Sequence, residues 1–548
     1  MQTTHVSYWT NAGKGKAFAV DNHEERNKVA KFGASLAVTK LLFNAKFDFV
    51  TLEKAGVILS GPVIDVLLIA QLLLPNEKKK KLKQLARKLL KYPYLEETRL
   101  KQWLKANKTK NFGLAPKHII EPYALADAIQ NLELFYFLAP GLDKHQLWSV
   151  LEREMMLMRD VVMPMEEYGA MIDLKEVDAL KIKTAKVLKE LKTKLVELTG
   201  KPDFNPNSSA QVAAAIYNGS VKPTRFSRKT GKPKVDMVAI LQQPSEVGIL
   251  IAQYRKIAKA RTTYLKNFNK PILRVNFNQG GTRTGRFSSS GPNLQNIPRP
   301  SEDSLLGQMR KVFVARPGSK LLFIDYRQIE MRLAAHFSGE EHMLQAINDN
   351  IDLHDVTCKL IFNITPDHPD WIKLRYIAKT LNFAILYGTG AETFSFTVLK
   401  NTNGKMRIST YEAARYIGEY QSKHPKIMKM FGTVTNEVAK TGGVVNHYGR
   451  WMEVDPRKPY VGVNYKIQGT AADFMKMKMY PVASMLQGRR TKLFLTVHDE
   501  LGFNLYKEDA KLVKPIVEVM QDNTTFSVPL TCSVSYGDNW HTKKELKL

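Results

Sequence analysis

Residues 320–337 read KLLFIDYRQIEMRLAAHF. Leu321 to Ile324 form an unbroken run of β-forming residues, and the stretch after them carries helical spacing, so the segment reads as a buried strand running into a helix. Asp325 stands where the strand ends. A single acid in such a place is ordinarily a turn former or a helix cap. A second stretch, 491–506, TKLFLTVHDELGFNLY, reads as a strand, a turn at His498–Asp499 and a return strand, and it puts Asp499 in the same kind of place. If the two strands are neighbours, two carboxylates face each other and repel unless a cation lies between them. That is the arrangement for two divalent metals about 3.5–4 Å apart, serving the attacking and leaving oxygens of a phosphoryl transfer. Hard oxygen ligands favour Mg²⁺.

No G-x-x-x-x-G-K-[ST] loop and no kinase signature occurs, so phosphate must be held by something else. Residues 375–388, RYIAKTLNFAILYG, offer it. Arg375, Lys379, Phe383 and Tyr387 recur every four residues, which on a helix makes a slowly drifting row about 18 Å long. Two cations can grip a triphosphate, and two aromatics can stack on a base or sugar. The competing reading makes Ile377, Ala378, Leu381, Ala384, Ile385 and Leu386 a buried side and the row its solvated rim.

The chain has 548 residues, 44% apolar and 24% charged, which is the composition of globular protein with room for several domains. Lys and Arg number 82 against 52 Asp and Glu, a formal net charge of +30. Such a surplus points to a polyanionic partner, nucleic acid first and an anionic membrane surface second. No apolar run approaches a membrane span, and no signal peptide is visible. Cys358 and Cys532 are the two cysteines, which gives neither a disulfide framework nor a zinc set and fits a reducing cytoplasm.

Along the chain, HVSYWT, KAFAV and LLFN read as strands and PVIDVLLIAQLLL as a helix. EKKKKLKQLARKLLKY reads as an amphipathic basic helix with Leu82, Leu85, Leu89 and Leu90 on one face. LAPGLD at 138–143 reads as a boundary. A long helix follows from 174 to about 199, and another over 246–268 carries Arg255, Lys256, Lys259, Arg261 and Lys266. GGTRTGRFSSSGPNLQNIPRP, from 280, has no periodicity and reads as a functional loop.

Taken together, these segments resemble DNA polymerase family A, the family of bacterial DNA polymerase I and of many phage replicative enzymes. DYRQIEMR (325–332), RYIAKTLNFAILYG (375–388) and VHDEL (497–501) are similar to motifs A, B and C. TGRFSSSGPNLQNIP (284–298) is similar to the template-primer loop, IQGTAADFMK (467–476) to a minor-groove segment, and IDLH (351–354) to a short motif ahead of motif B. The resemblance implies an α/β right-hand fold of palm, fingers and thumb, preceded by a ribonuclease H-like exonuclease-type domain. It implies a nucleotidyltransferase that adds dNTPs to a primer 3′ end in replication or repair. Asp325 and Asp499 would ligate two Mg²⁺ ions, with Mn²⁺ as the substitute, and the Tyr326 carbonyl would be a further ligand. Arg375 and Lys379 would bind the triphosphate, and Lys379 would protonate the leaving group. His354 and Gln328 would add contacts, and Phe383 would pack on the nucleotide. Tyr387 and Glu330 would exclude a 2′-hydroxyl. Arg286, Asn293, Gln295, Asn464 and Gln468 would touch the minor groove, His498 the primer end, with Glu500 beside the metals. The helix over 246–268 would lie on backbone phosphates.

Three features depart from the family pattern. Arg327 stands where motif A commonly has Ser, either as a phosphate contact or turned outward. Tyr460 stands where an arginine is usual, four residues before Asn464. No large insertion appears around 200–235, so no thioredoxin-type processivity factor is expected. The implied segments are an exonuclease-like domain over 1–145, thumb over 146–280, palm over 281–345 and 485–548, and fingers with a linking segment over 346–484. FNAKFDFVTLEKAGV (43–57) and YALAD (123–127) are similar to the second and third exonuclease motifs, giving Asp48, Tyr123 and Asp127. The first motif, Asp-x-Glu, has no counterpart, so the domain reads as lacking its first strand, with proofreading absent from this chain and a separate chain able to complete it. The expected partners are primer-template DNA and dNTPs, with no membrane, in a bacterial or phage-infected cytoplasm. Two other readings compete. Glu330 and TGRFSS argue against a single-subunit RNA polymerase, and intact Asp325, Lys379 and Asp499 argue against a catalytically dead nucleic-acid-binding protein.

Overall fold

The computed structural model describes residues 5–93, 95–217, 221–243, 245–298 and 305–548. The chain divides into two compact units. The first comprises Met1–Pro164, Asn278–Phe287 and Gly443–Glu453; the second comprises Met165–Phe277, Ser288–Gly442 and Val454–Leu548.

The second unit is built on a five-stranded antiparallel sheet. Its strands lie in the order Lys492–Val497, Glu500–Tyr506, Ser319–Tyr326, Cys532–Gly537 and Lys544–Glu545. The central strand does not alternate, because both of its faces are covered: Leu321, Leu322, Phe323 and Ile324 are all fully buried. Phe323 stacks on buried Trp540 with ring centroids 5.8 Å apart, and the Arg310 guanidinium lies 4.0 Å over the indole. The strand ends at Tyr326, and Gln328, in the left-handed region at φ 51, turns the chain into the helix Ile329–Ser338. The helix Val461–Met485 buries residues around most of its circumference. The helix Trp371–Leu386 packs on the helix Leu353–Phe362 and buries all six of its expected apolar positions, Ile377 to Leu386.

Elsewhere in this unit the long helix is Leu174–Thr199. Asp173 caps it by accepting from the Lys175 and Glu176 N–H groups, and Gly200 closes it at φ 65. It packs on the helix Glu246–Ala260 around Leu195, Phe204, Val212 and Ile251. The basic helix differs from its expectation. Arg255 donates to the Pro206 and Val235 carbonyls, and Arg261 to the Lys181 carbonyl and the Thr184 hydroxyl. Arg255 thus satisfies backbone oxygens of the turn-rich connection, and Arg261 ties down onto the helix Leu174–Thr199, while Lys259 and Lys266 stay exposed.

In the first unit the hairpin His5–Trp9 with Gly15–Ala19 is antiparallel, and Lys40–Leu42 runs parallel to Val63–Asp65. PVIDVLLIAQLLL is therefore not one helix. Its first residues pair as a strand, and Asp65 then caps the helix Val66–Leu73 through the Leu67 N–H. The basic segment is helical only over Leu82–Leu90. LAPGLD is not a boundary: the helix Lys117–Lys144 runs through it with Pro122 and Pro140 inside. Burial of Leu134, Leu138 and Leu142 along that helix outweighs the hydrogen bond that Pro140 forgoes. Arg450 pairs with Glu154, whose carboxylate also accepts from Gln279 at 2.7 Å; all three are buried, and they tie together the unit's three chain segments.

Candidate active site

The sheet brings the two strand-end acids together. In its register Asp325 stands opposite Glu500, next along the chain from Asp499, and the Tyr326 N–H donates to the Asp499 carbonyl at 3.3 Å. His498, at φ 57, makes the turn that carries Asp499. The electrostatics agree: the Cys532 thiol, on the strand flanking Asp325, is pushed up by burial and then by the charges of both Asp325 and Asp499. Carboxylates are hard oxygen donors of the kind that suits a divalent cation. The Tyr326 ring turns into the core, its hydroxyl donating to the Met520 carbonyl at 2.6 Å.

Glu500 lies beside these acids, opposite Asp325. Its oxygens accept from Trp540 Nε1 at 3.0 Å and from Lys543 Nζ at 3.2 Å. Arg327 turns outward, where its guanidinium pairs with Glu545 at 2.8 Å on the last strand. The strand has ended before it, so the alternation of faces no longer governs its direction.

The row on the helix Trp371–Leu386 lies along one side. Lys379 is exposed and has no ion pair among the described residues. Arg375 pairs with Asp355 and, at 3.1 Å, with Asp352. Phe383 stacks with Tyr387, centroids 6.4 Å apart, and meets His354 at 5.8 Å. His354 is buried, with Nδ1 3.0 Å from Asn382 Nδ2. Burial holds its pKa down to about 4, against the pull of Asp352 and helped by Lys379 and Arg375, so at neutral pH it is an uncharged hydrogen-bonding group. Gln328 accepts from the Leu353 N–H at 3.4 Å.

The Tyr387 hydroxyl donates to Glu330 at 3.3 Å and accepts from Gln468 at 2.8 Å. Asn464, one turn before Gln468, has its Nδ2 buried without a hydrogen-bond partner among the described residues. Gln295 is buried and bridges to the strand and turn ahead of Asp499, donating to the Thr496 carbonyl at 2.7 Å and accepting from the His498 N–H at 2.8 Å. Sequence reading assigned Gln295 a groove contact and missed this support. Asn293 accepts from the Gln295 N–H at 3.0 Å. Arg286 belongs to the first unit, where its carbonyl accepts from Thr282 at 3.0 Å.

Tyr460 packs its ring against Gly388, where an added Cβ would fall 2.3 Å from it. Gly388 is at φ 61, so this position requires glycine twice over.

The family model described as DNA polymerase family A matches residues 174–542, and the 3′–5′ exonuclease model matches residues 6–143. The chain belongs to DNA polymerase family A. It is 34% identical over 439 residues to a thermostable DNA polymerase I of Thermus filiformis, covering 76% of this chain and 51% of that protein. It is 31% identical over 555 residues to DNA polymerase I of a Synechocystis strain, covering 92% and 53%. The chain thus spans about half the length of these curated relatives. Among solved structures, the polymerase domain of Pol1 from M. smegmatis, in complex with DNA primer-template and dNTP, superposes with a TM-score of 0.81 at 25% identity, covering 98% of this chain and 93% of that one. Members of this family generally use a divalent metal. The exonuclease match lies within this chain, and the comparisons do not support the separate completing chain expected from the sequence. Among the described residues no helix is long and apolar enough to cross a membrane.

In the first unit the exonuclease-type acids do not form one cluster. Asp48 lies near Asp65, and burial, then that neighbouring charge, pushes its carboxyl up to about 7. Asp127 is paired with Lys83, whose ammonium also lies 4.2 Å over the Tyr123 ring. Among the described residues no group of three potential metal ligands occurs in either unit.

Proposed function

We propose that the chain is a template-directed DNA polymerase that joins dNTPs to a primer 3′ end, releasing pyrophosphate. The observation that carries this reading is the register that sets Asp325 beside the turn bearing Asp499, at the open end of the sheet. Divalent metal bound there, Mg²⁺ first and Mn²⁺ as its substitute, would neutralise charge on the attacking and leaving oxygens. Asp325, Asp499 and the Tyr326 carbonyl would hold it.

Lys379, exposed on its helix, meets the triphosphate and gives a proton to the departing pyrophosphate. Arg375, four residues earlier, adds a second cation. Phe383 packs on the nucleotide, and neutral His354 adds a phosphate or backbone contact. Tyr387, held between Glu330 and Gln468, fills the space beside the ribose, which supports dNTPs over NTPs. The buried, unpartnered Asn464 amide suits a minor-groove acceptor, a contact that tests pair shape without reading sequence. Primer-template DNA is the partner that the charge of +30 suits.

Primer extension tests this reading. Asp325→Ala and Asp499→Ala should each abolish extension and leave primer-template affinity nearly unchanged, because dispersed cations supply most of the binding. Near-normal extension by either variant refutes the assignment.

A further inference from the structure

The segment 540–545 packs against the sheet beside the site. Lys544–Glu545 adds the fifth strand to the sheet, pairing with Ser535 and Tyr536 on the strand that flanks Asp325. The residue before it, Lys543, reaches Glu500 at 3.2 Å, and Trp540 reaches the other oxygen of the same carboxylate at 3.0 Å. The Lys543 and Glu500 side chains are only 19% and 13% exposed. The Lys543 ammonium also lies 4.1 Å over the Phe323 ring, on which Trp540 stacks. Lys543 is anchored, with little of the freedom that makes a surface pair weak.

Glu500 stands directly opposite Asp325 and next to Asp499. Like charges directly opposite across an antiparallel pair destabilise it. Three carboxylates crowd this strand end, and Lys543 is a cation set among them, close enough to feel the charge of Asp325 as well as that of Glu500. From these contacts we infer that Lys543 is a positioning residue of the polymerase site: with Trp540 it holds the Glu500 carboxylate out of the metal-binding set and fixes the net charge that the remaining acids present. The inference rests on the reading of Asp325 and Asp499 as metal ligands.

Two consequences follow. With Lys543 uncharged, Glu500 is released and the strand end presents three carboxylates. Divalent ions then bind more tightly but in a set that no longer has the productive geometry. The test uses the full chain on a dideoxy-terminated primer-template, with Mn²⁺ binding read by electron paramagnetic resonance and Mg²⁺-dependent single-nucleotide extension measured alongside. Lys543→Met should tighten Mn²⁺ binding about fivefold to tenfold. It should lower kcat at saturating Mg²⁺ with KM for the dNTP unchanged. Lys543→Arg should retain wild-type behaviour. Adding Glu500→Gln to Lys543→Met should return Mn²⁺ affinity to the wild-type value. Lys543→Gln, which keeps a donor but no charge, carries the same expectation if the Met variant does not fold.

Mn²⁺ affinity within twofold of wild type in the uncharged variants overturns the inference, as does a tightening that persists without Glu500. Asp325→Asn separates the two levels of the argument. Its loss of Mn²⁺ binding upholds the metal reading whatever Lys543 does, and retained binding removes that reading together with this one.

Discussion

Arg375 carries an equilibrium that its place on the helix does not reveal. Its guanidinium is shared by Asp352 and Asp355, at the first turn of the helix Leu353–Phe362. Two carboxylates around one cation leave a net negative charge where the proposed reading brings a triphosphate, so on that reading part of the pairing has to be exchanged before the nucleotide is gripped. Asp352 also caps its helix through the His354 and Asp355 N–H groups, whereas the Asp355 side chain has no cap to hold. Asp355→Asn should therefore lower KM for the dNTP about threefold, the size of a part-exposed ion pair, with kcat and primer affinity unchanged. The effect should vanish in an Arg375→Ala background. Steady-state kinetics on one template base decide it, and an unchanged or raised KM refutes it. The spacing of Arg375, Lys379, Phe383 and Tyr387 was legible in the sequence because a helix repeats its face every few residues. Asp355 was not, because it comes from a separate helix whose approach no local pattern encodes. His354 was expected as a contact residue; its neutral state was not legible, since burial is what sets it.

At the scale of elements, the strand ends were read correctly for a simple reason. Unbroken β-formers followed by an acid mark a strand that leaves a covered sheet; that the two ends are neighbours was only a condition in the sequence, and the register supplies it. Reading failed where tertiary burial overrode local punctuation. Pro140 sits inside a helix because leucines on either side are buried, and Asp65 divides an apolar run that composition alone left whole. The junction between the helices Thr410–Lys423 and Pro425–Thr441 gives an element its own pH dependence. His424 forms that junction, buried, stacked on Tyr420 at 3.7 Å, with Nδ1 2.8 Å from the Tyr420 carbonyl. Burial lowers its pKa to about 4, the Tyr420 carbonyl opposes this, and His342, itself lowered by burial, adds to it. Glu340 lies beside His342 at 3.3 Å, and Glu341 pairs with Lys426. A histidine depressed in the fold binds its proton more readily when unfolded. The stability it contributes is thus complete above about 6.5 and is lost as pH falls from there towards 4. The melting midpoint of this unit should drop across that window, and His424→Phe should flatten the drop. An equally steep fall in the variant places the acid sensitivity elsewhere.

At the scale of the whole molecule, the charge of +30 made nucleic acid the first candidate partner, but it could not say which unit does chemistry. Each unit matches its own family model, and their acids are treated very differently. In the second unit the acids meet at a sheet end, where the proposed reading places a divalent cation. In the first, the acid positions are occupied by the protein itself. Lys83 pairs with Asp127 and covers the Tyr123 ring, while Asp65 spends its oxygens on the Asn44, Ala45 and Leu67 N–H groups and faces Asp48. Spacing revealed Tyr123 and Asp127 in the sequence. It could not reveal that Lys83, from a separate helix, compensates the Asp127 carboxylate. This chain should therefore not shorten DNA. A labelled primer with a mismatched 3′ end, incubated with the chain and Mg²⁺ or Mn²⁺ in the absence of nucleotides, should keep its length. Asp48→Asn should change nothing in that assay, and Lys83→Ala should not create cleavage, because removing the lysine leaves Asp127 without a second and third ligand. Shortening by the chain that disappears in Asp48→Asn would show that the first unit assembles a working metal centre on DNA, with Lys83 displaced from Asp127 as it does so.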